Sequence, residues 1–155
     1  MQFTIDQAGK IEHTNEDTVL ALCTAETQYA IKIPKLLKQS LFNSCKREYK
    51  NNLVYRIFSY CLYLLLKDRI TNYSIILIDE EYKGHGKDIK NYLLKYLEKM
   101  PAENIRFQEL GKKDSSHRIA NQTFSGKLKP NEIISEKQLN LNVILPLNKQ
   151  KEYLK

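Results

Sequence analysis

The chain has 155 residues, a mass of 18.2 kDa, 42% hydrophobic and 28% charged side chains, and a formal net charge of +7. That length builds a single domain, 1–155, with a real core; it excludes two full domains, and the aliphatic content excludes an unfolded chain. The three cysteines, Cys23, Cys45 and Cys61, show no CxxC pair, which argues against a disulfide framework or a zinc site and for reduced thiols in a cytoplasmic setting.

The first predicted element is a strand, Phe3-Thr-Ile-Asp6, that alternates and stops at a turn, Gln7-Ala8-Gly9. Lys10 to His13 reads as a continuing hairpin arm. Thr18 to Cys23 is a second strand, and Tyr29-Ala-Ile-Lys-Ile33 a third, so the N-terminal part predicts an antiparallel meander. Pro34 suits the first turn of a helix over 34–46, and Asn51-Asn52 the cap of a second, buried helix over 53–67.

Tyr73-Ser-Ile-Ile-Leu-Ile78 is a continuous aliphatic run of the kind covered on both faces of a sheet, and it ends in Asp79-Glu80-Glu81. A glycine loop, Lys83-Gly-His-Gly86, leads to an amphipathic helix over 89–100, stopped by Pro101, and to a further strand around Ile105 and Phe107. Strand, helix and strand make a βαβ unit with parallel strands. A short helix from Ser116 to Lys127 follows, then a tail with one more expected strand, Leu139 to Leu147. The core is thus expected over about residues 1–127, with 128–155 an extension or edge element.

No segment has the length of a membrane span: the most apolar run, Ile57 to Leu66, is bracketed by Arg56 and Lys67, whereas spanning takes about 20 residues. The N-terminus shows no charged region followed by an apolar one, so a soluble, cytoplasmic protein is expected. Charge is uneven along the chain, with residues 1–31 at net −4, 32–56 at +6, 57–111 balanced and 112–155 at +5. Such a distribution builds a cationic surface around an acidic site, a pattern suited to nucleic acid.

Asp6 and Asp79 each close a strand, and in an α/β sheet ligands bind at the carboxyl edge. Two such acids with a third, Asp114, are the donors a pair of Mg²⁺ or Mn²⁺ ions needs for phosphodiester hydrolysis. His117 is a candidate proton shuttle, and Lys35, Lys38, Lys46, Arg47, Lys112, Lys113 and Arg118 are candidate contacts to a nucleic-acid backbone. Gly84-His85-Gly86-Lys87 lacks P-loop spacing and reads as a plain βα loop, and the three histidines share no ligand spacing.

Three stretches carry a resemblance: Phe3-Thr-Ile-Asp6-Gln-Ala-Gly9, Ile75-Ile-Leu-Ile-Asp79, and Asp114-Ser-Ser-His117-Arg-Ile-Ala120-Asn121. Together with the element order they resemble the ribonuclease H-like superfamily, the fold of retroviral integrases, near a branch of domains of unknown function. The resemblance implies a mixed sheet that begins as an antiparallel meander and continues with parallel strands, flanked by helices. It implies a metal-dependent nuclease-like protein with Asp6, Asp79 and Asp114 as ligands and Glu48 as the acid of the first long helix. The family's last aspartate falls at Asn121, which has no carboxylate to give. The alternative is a non-catalytic nucleic-acid-binding or protein-interaction domain on the same fold.

Overall fold

The computed structural model describes residues 1–155 as an α/β protein. Three strands, β1 (Gln2–Ala8), β2 (Thr18–Cys23) and β3 (Gln28–Ile33), form the antiparallel meander. Two helices follow, α1 (Lys35–Asn43) and α2 (Lys50–Leu66), then β4 (Ile75–Asp79), α3 (Gly86–Tyr96), β5 (Ile105–Gln108) and α4 (Ser115–Phe124). The chain closes with β6 (Glu132–Ile133), α5 (Leu141–Ile144) and α6 (Leu147–Tyr153). The six strands make one mixed sheet in the order β5-β4-β1-β2-β3-β6. β4 runs parallel to β1, β5 parallel to β4, and β6 parallel to β3.

Side chains alternate across the sheet because the strand period is two. Phe3, Ile5, Leu20, Leu22, Ile31, Ile33, Ile76 and Ile78 enter the larger core with the apolar side chains of α2 and α3. On the other face Ala8, Val19, Ala21, Cys23 and Ala30 meet Ile119 and Ala120 of α4. Four of those five sheet residues are alanine or cysteine, so α4 lies close against β1 and β2.

Several sequence expectations are corrected. Lys10 to His13 is a turn and adds no strand, because the carbonyls of Lys10 and His13 accept from the Lys38 ammonium at 3.1 and 2.7 Å instead of from a ladder partner. β1 continues through Gln7 and Ala8, and the reversal is made by Gly9 at φ +76°, where any Cβ would meet the Asp17 carbonyl oxygen at 2.2 Å. α2 starts at Lys50 as the continuation of a 3-10 turn, Arg47–Tyr49, and Asn51 and Asn52 do not cap it. The expected strand 139–147 is helical. The Asn140 side chain accepts from the Val143 N–H to cap α5, and Pro146, with no N–H for a ladder, opens α6. The tail is also more than an edge, since Ile134, Leu139, Ile144, Leu145 and Tyr153 all enter the larger core.

Lys38 is fully buried, and its ammonium spends its three donors on the Lys10 and His13 carbonyls and, at 2.9 Å, the Thr18 hydroxyl. Burial pulls its pKa down to about 8, with Glu16, Asp17 and Glu12 acting the other way. This side chain pins the 10–17 loop to α1. We expect Lys38→Met to lose about 2–3 kcal/mol of stability, read as a lower urea midpoint at unchanged m, because three acceptors lose a charged donor.

Candidate functional site

The parallel register of β1 and β4 pairs Ile5 with Ile78, and one residue further each strand carries an aspartate, Asp6 and Asp79, on the face opposite the large core. The chain then turns, with the Glu80 N–H donating to the Gln108 carbonyl, and Glu81 folds back toward the two aspartates. Asp6, Asp79 and Glu81 each offer a carboxylate oxygen within 4.8 Å of the other two. Two ligands on opposite sides of an octahedral Mg²⁺ lie about 4.2 Å apart, so this group has the size of one ion's shell.

Neighbouring groups fix each carboxylate. Asp6 is buried; its Oδ1 accepts from the Gln7 N–H at 2.7 Å, and its Oδ2 lies 2.7 Å from His117 Nδ1. The Asn121 amide Nδ2 donates to His117 Nε2 at 2.8 Å, so Nε2 is the acceptor and the ring proton sits on Nδ1, directed at Asp6. Asp79 Oδ1 accepts from the Leu110 N–H at 2.9 Å, tying the loop after β5 to the end of β4. Glu81 is held in place by its neighbour Tyr82, whose buried hydroxyl accepts from Gln7 Nε2 and the Ile11 N–H and donates to Glu12. The Tyr82 ring packs edge-on to Phe58 at 5.1 Å.

The electrostatic consequence is a site that holds protons. Burial raises the Asp6 pKa and the Asp79 charge adds to it, against the Gln7 and His117 hydrogen bonds. Glu81 is pushed up to about 7, first by burial and then by Asp6 and Asp79, with Lys10 opposing. Near neutral pH Glu81 is therefore poised between its charged and neutral forms beside Asp6.

The other expected site residues fall elsewhere. Asp114 is outside the carboxylate group: it is the N-cap of α4, its Oδ1 accepting from the Ser116 N–H at 2.9 Å and from the Ser116 hydroxyl. It lines a hollow of about 490 Å³ with Thr4, Cys23 and Glu26, beside the start of β1 and away from the end that carries Asp6. Glu48 sits in the 3-10 turn before α2 and is likewise outside the group. Of the basic residues, Lys38 is the internal pin described above and has no surface to offer. Lys112, Lys113 and Arg118 are exposed and flank His117 along the chain, whereas Lys35, Lys46 and Arg47 belong to α1 and the turn that follows it.

Glu81 and Asn121 are the residues that sequence reasoning left aside. The sequence carries no signal that singles out Glu81, because the chain turns after Asp79 and only the folded turn brings Glu81 back to the aspartates. Asn121 lies one helical turn after His117. No protein-family model matches this chain, and no curated protein matches it either.

Because Glu81 binds its proton more tightly when folded, its contribution to stability is full below about pH 4.5 and is lost as pH rises through about 7. In EDTA, the melting temperature of the protein is expected to fall by a few degrees between pH 5 and pH 8. Glu81→Gln, which cannot titrate, flattens that slope; a slope unchanged in the variant assigns it to other groups.

Proposed function

We propose that Asp6, Asp79 and Glu81 form a divalent-cation site, for Mg²⁺ or Mn²⁺, in a nuclease-like protein of ribonuclease H-like architecture acting on nucleic acid. The observation that carries the reading is the convergence of three carboxylates within 4.8 Å just past the last paired residues of the parallel β1–β4 ladder. The donor set fits a hard cation, being all anionic oxygen with no thiolate or imidazole in the group. The strand order supports the architecture, with the meander on one side of β1 and the parallel strands β4 and β5 on the other.

A divalent ion held there supplies Lewis acidity to a phosphodiester and lowers the pKa of water. The chain's own residues do the rest. Asp6 keeps the His117 proton on Nδ1, and Nε2, which accepts from Asn121, can take up a proton at the site's edge once that amide turns away. Asn121 stands where the family carries its last acid, and it orients that imidazole instead of binding a cation. Glu81 supplies the third carboxylate, from the end of β4. Lys112, Lys113 and Arg118, exposed cations next to His117 in sequence, are the proposed contacts to backbone phosphates, which they would hold without reading sequence.

Two experiments test the proposal. Cleavage of single- and double-stranded substrates is expected only with Mg²⁺ or Mn²⁺, and to fall by at least about 100-fold in Asp6→Asn, Asp79→Asn and Glu81→Gln. Those variants are expected to melt at or above the native temperature, since each relieves repulsion among like charges. Asp114→Ala gives the opposite pattern, losing about 1 kcal/mol as a missing N-cap while cleavage per folded molecule holds. Normal cleavage in the Asp6 and Asp79 variants ends the catalytic reading and leaves the binding domain in its place.

For the partner, nucleic-acid affinity is expected to fall linearly on a log–log plot against salt, by counterion release. Replacing Lys112, Lys113 and Arg118 together by Gln lowers that slope by about 2–3. No binding at low salt removes nucleic acid as the partner.

A further inference from the structure

On the α2 side of the sheet, Arg56 presents a charge with no counter-charge. Its side chain leaves α2 at a position only 9% exposed, and no carboxylate approaches it within ion-pair distance. Its Nε donates to the Tyr153 hydroxyl at 3.2 Å, and its guanidinium carbon stands 4.4 Å from the centre of the Tyr92 ring and 5.5 Å from that of Tyr153. Glu152 feels the charge at longer range, but its carboxylate is engaged by Lys149 at 3.1 Å.

The two Nη atoms make no hydrogen bond within the protein, and neither is sealed from solvent. They open on a hollow of about 270 Å³ between α2, α3 and the α5–α6 corner. Tyr92, Lys95 and Tyr96 line one side of it, and the stretch Val143–Pro146 lines the other. The lining holds two cations and no acid. One wall is aromatic and the other aliphatic.

A guanidinium this buried ordinarily meets a carboxylate or phosphate, because desolvation is costly and the planar fork suits two oxygens. Tyrosine faces offset part of that cost while leaving the Nη donors free. We infer that the α2–α3–α5 hollow is a binding site for a small molecule bearing one anionic group, a phosphate ester or a carboxylate, on a flat apolar body. The anion takes the Arg56 fork with Lys95 at the rim, and the body lies between Tyr96 and the Val143–Pro146 wall. The site lies across the sheet from the carboxylates and does not depend on the cation reading.

The test is calorimetric titration at low ionic strength and pH 7 with phenyl phosphate, benzoate and, as the neutral control, benzyl alcohol. At least one anion is expected to bind one to one and saturably with a Kd below about 5 mM, and benzyl alcohol at least about tenfold more weakly. Phenyl phosphate alone binding assigns a phosphate ester, benzoate alone a carboxylate, and both a general anion fork. Arg56→Met is expected to weaken the anion by about tenfold or more. Should that variant fail to fold, two rim variants carry the test: Lys95→Gln, which removes the outer cation, and Val143→Trp, which fills the hollow from a position 39% exposed. Each is expected to lower affinity at least about threefold, with Asp6→Asn binding like the native protein. No saturable anion binding by the native protein, or native affinity in both rim variants, overturns the inference.

Discussion

The parallel pairing of β1 with β4 is the constraint from which the acidic end of this molecule follows. Phe3 and Ile5 lie beside Ile76 and Ile78, and burying these four side chains stabilises the pair by roughly 6–12 kcal/mol in sum. The same register brings Asp6 alongside Asp79. Two like charges no more than 4.8 Å apart repel by at least about 3 kcal/mol at an effective dielectric constant of about 20. Apolar burial exceeds that repulsion, so the strands stay paired and the carboxylates are held together against their preference. What remains is relieved locally, by the proton on Glu81 and by the hydrogen bonds that Asp6 accepts from Gln7 and His117.

Packing on the far face completes the arrangement. His117 reaches Asp6 at 2.7 Å because α4 rests on alanines and a cysteine, which let a helix approach a sheet closely. Asn121 then fixes the ring from the other side, and the imidazole has one tautomer while Asp6 remains charged. Asp114 caps the start of α4 and stays outside the carboxylate group, so what it supports is the helix itself.

Elements whose sequence carries one dominant signal were readable before the structure. The meander alternates, 75–78 is a continuous aliphatic run, and α3 repeats at helical spacing, so the mixed sheet and the β4–α3–β5 unit were within reach. Asp79 followed from its strand end, whereas Asp6, expected to close β1, lies two residues inside it because β1 runs on to Ala8. Features set by distant partners were not readable. Lys38 looks like any surface lysine until the carbonyls of a loop 25 or more residues earlier are folded over it. Leu139–Leu147 has strand composition, yet Asn140 and Pro146 decide it through local caps. Glu81 sits in an acidic run whose members are equivalent in sequence, and only the anchoring of Tyr82 beneath β1 selects it.

Charge is treated differently inside this protein and on its surface. The pairs Lys83–Glu109, His85–Asp88 and Lys149–Glu152 lie at the surface, exposed or half-exposed, separated by 3.1–3.7 Å, and each is worth little to stability. Asp6, with Asp79 and Glu81 half-buried beside it, and the guanidinium of buried Arg56 lie on opposite faces of one sheet, and neither group finds a full counter-charge in the chain. Protons and tyrosine rings offset only part of the cost of removing them from water. The proposed cation at the first location and the proposed anion at the second would each complete a charge balance that the chain's own groups leave open, and either occupant would raise the melting temperature by mass action.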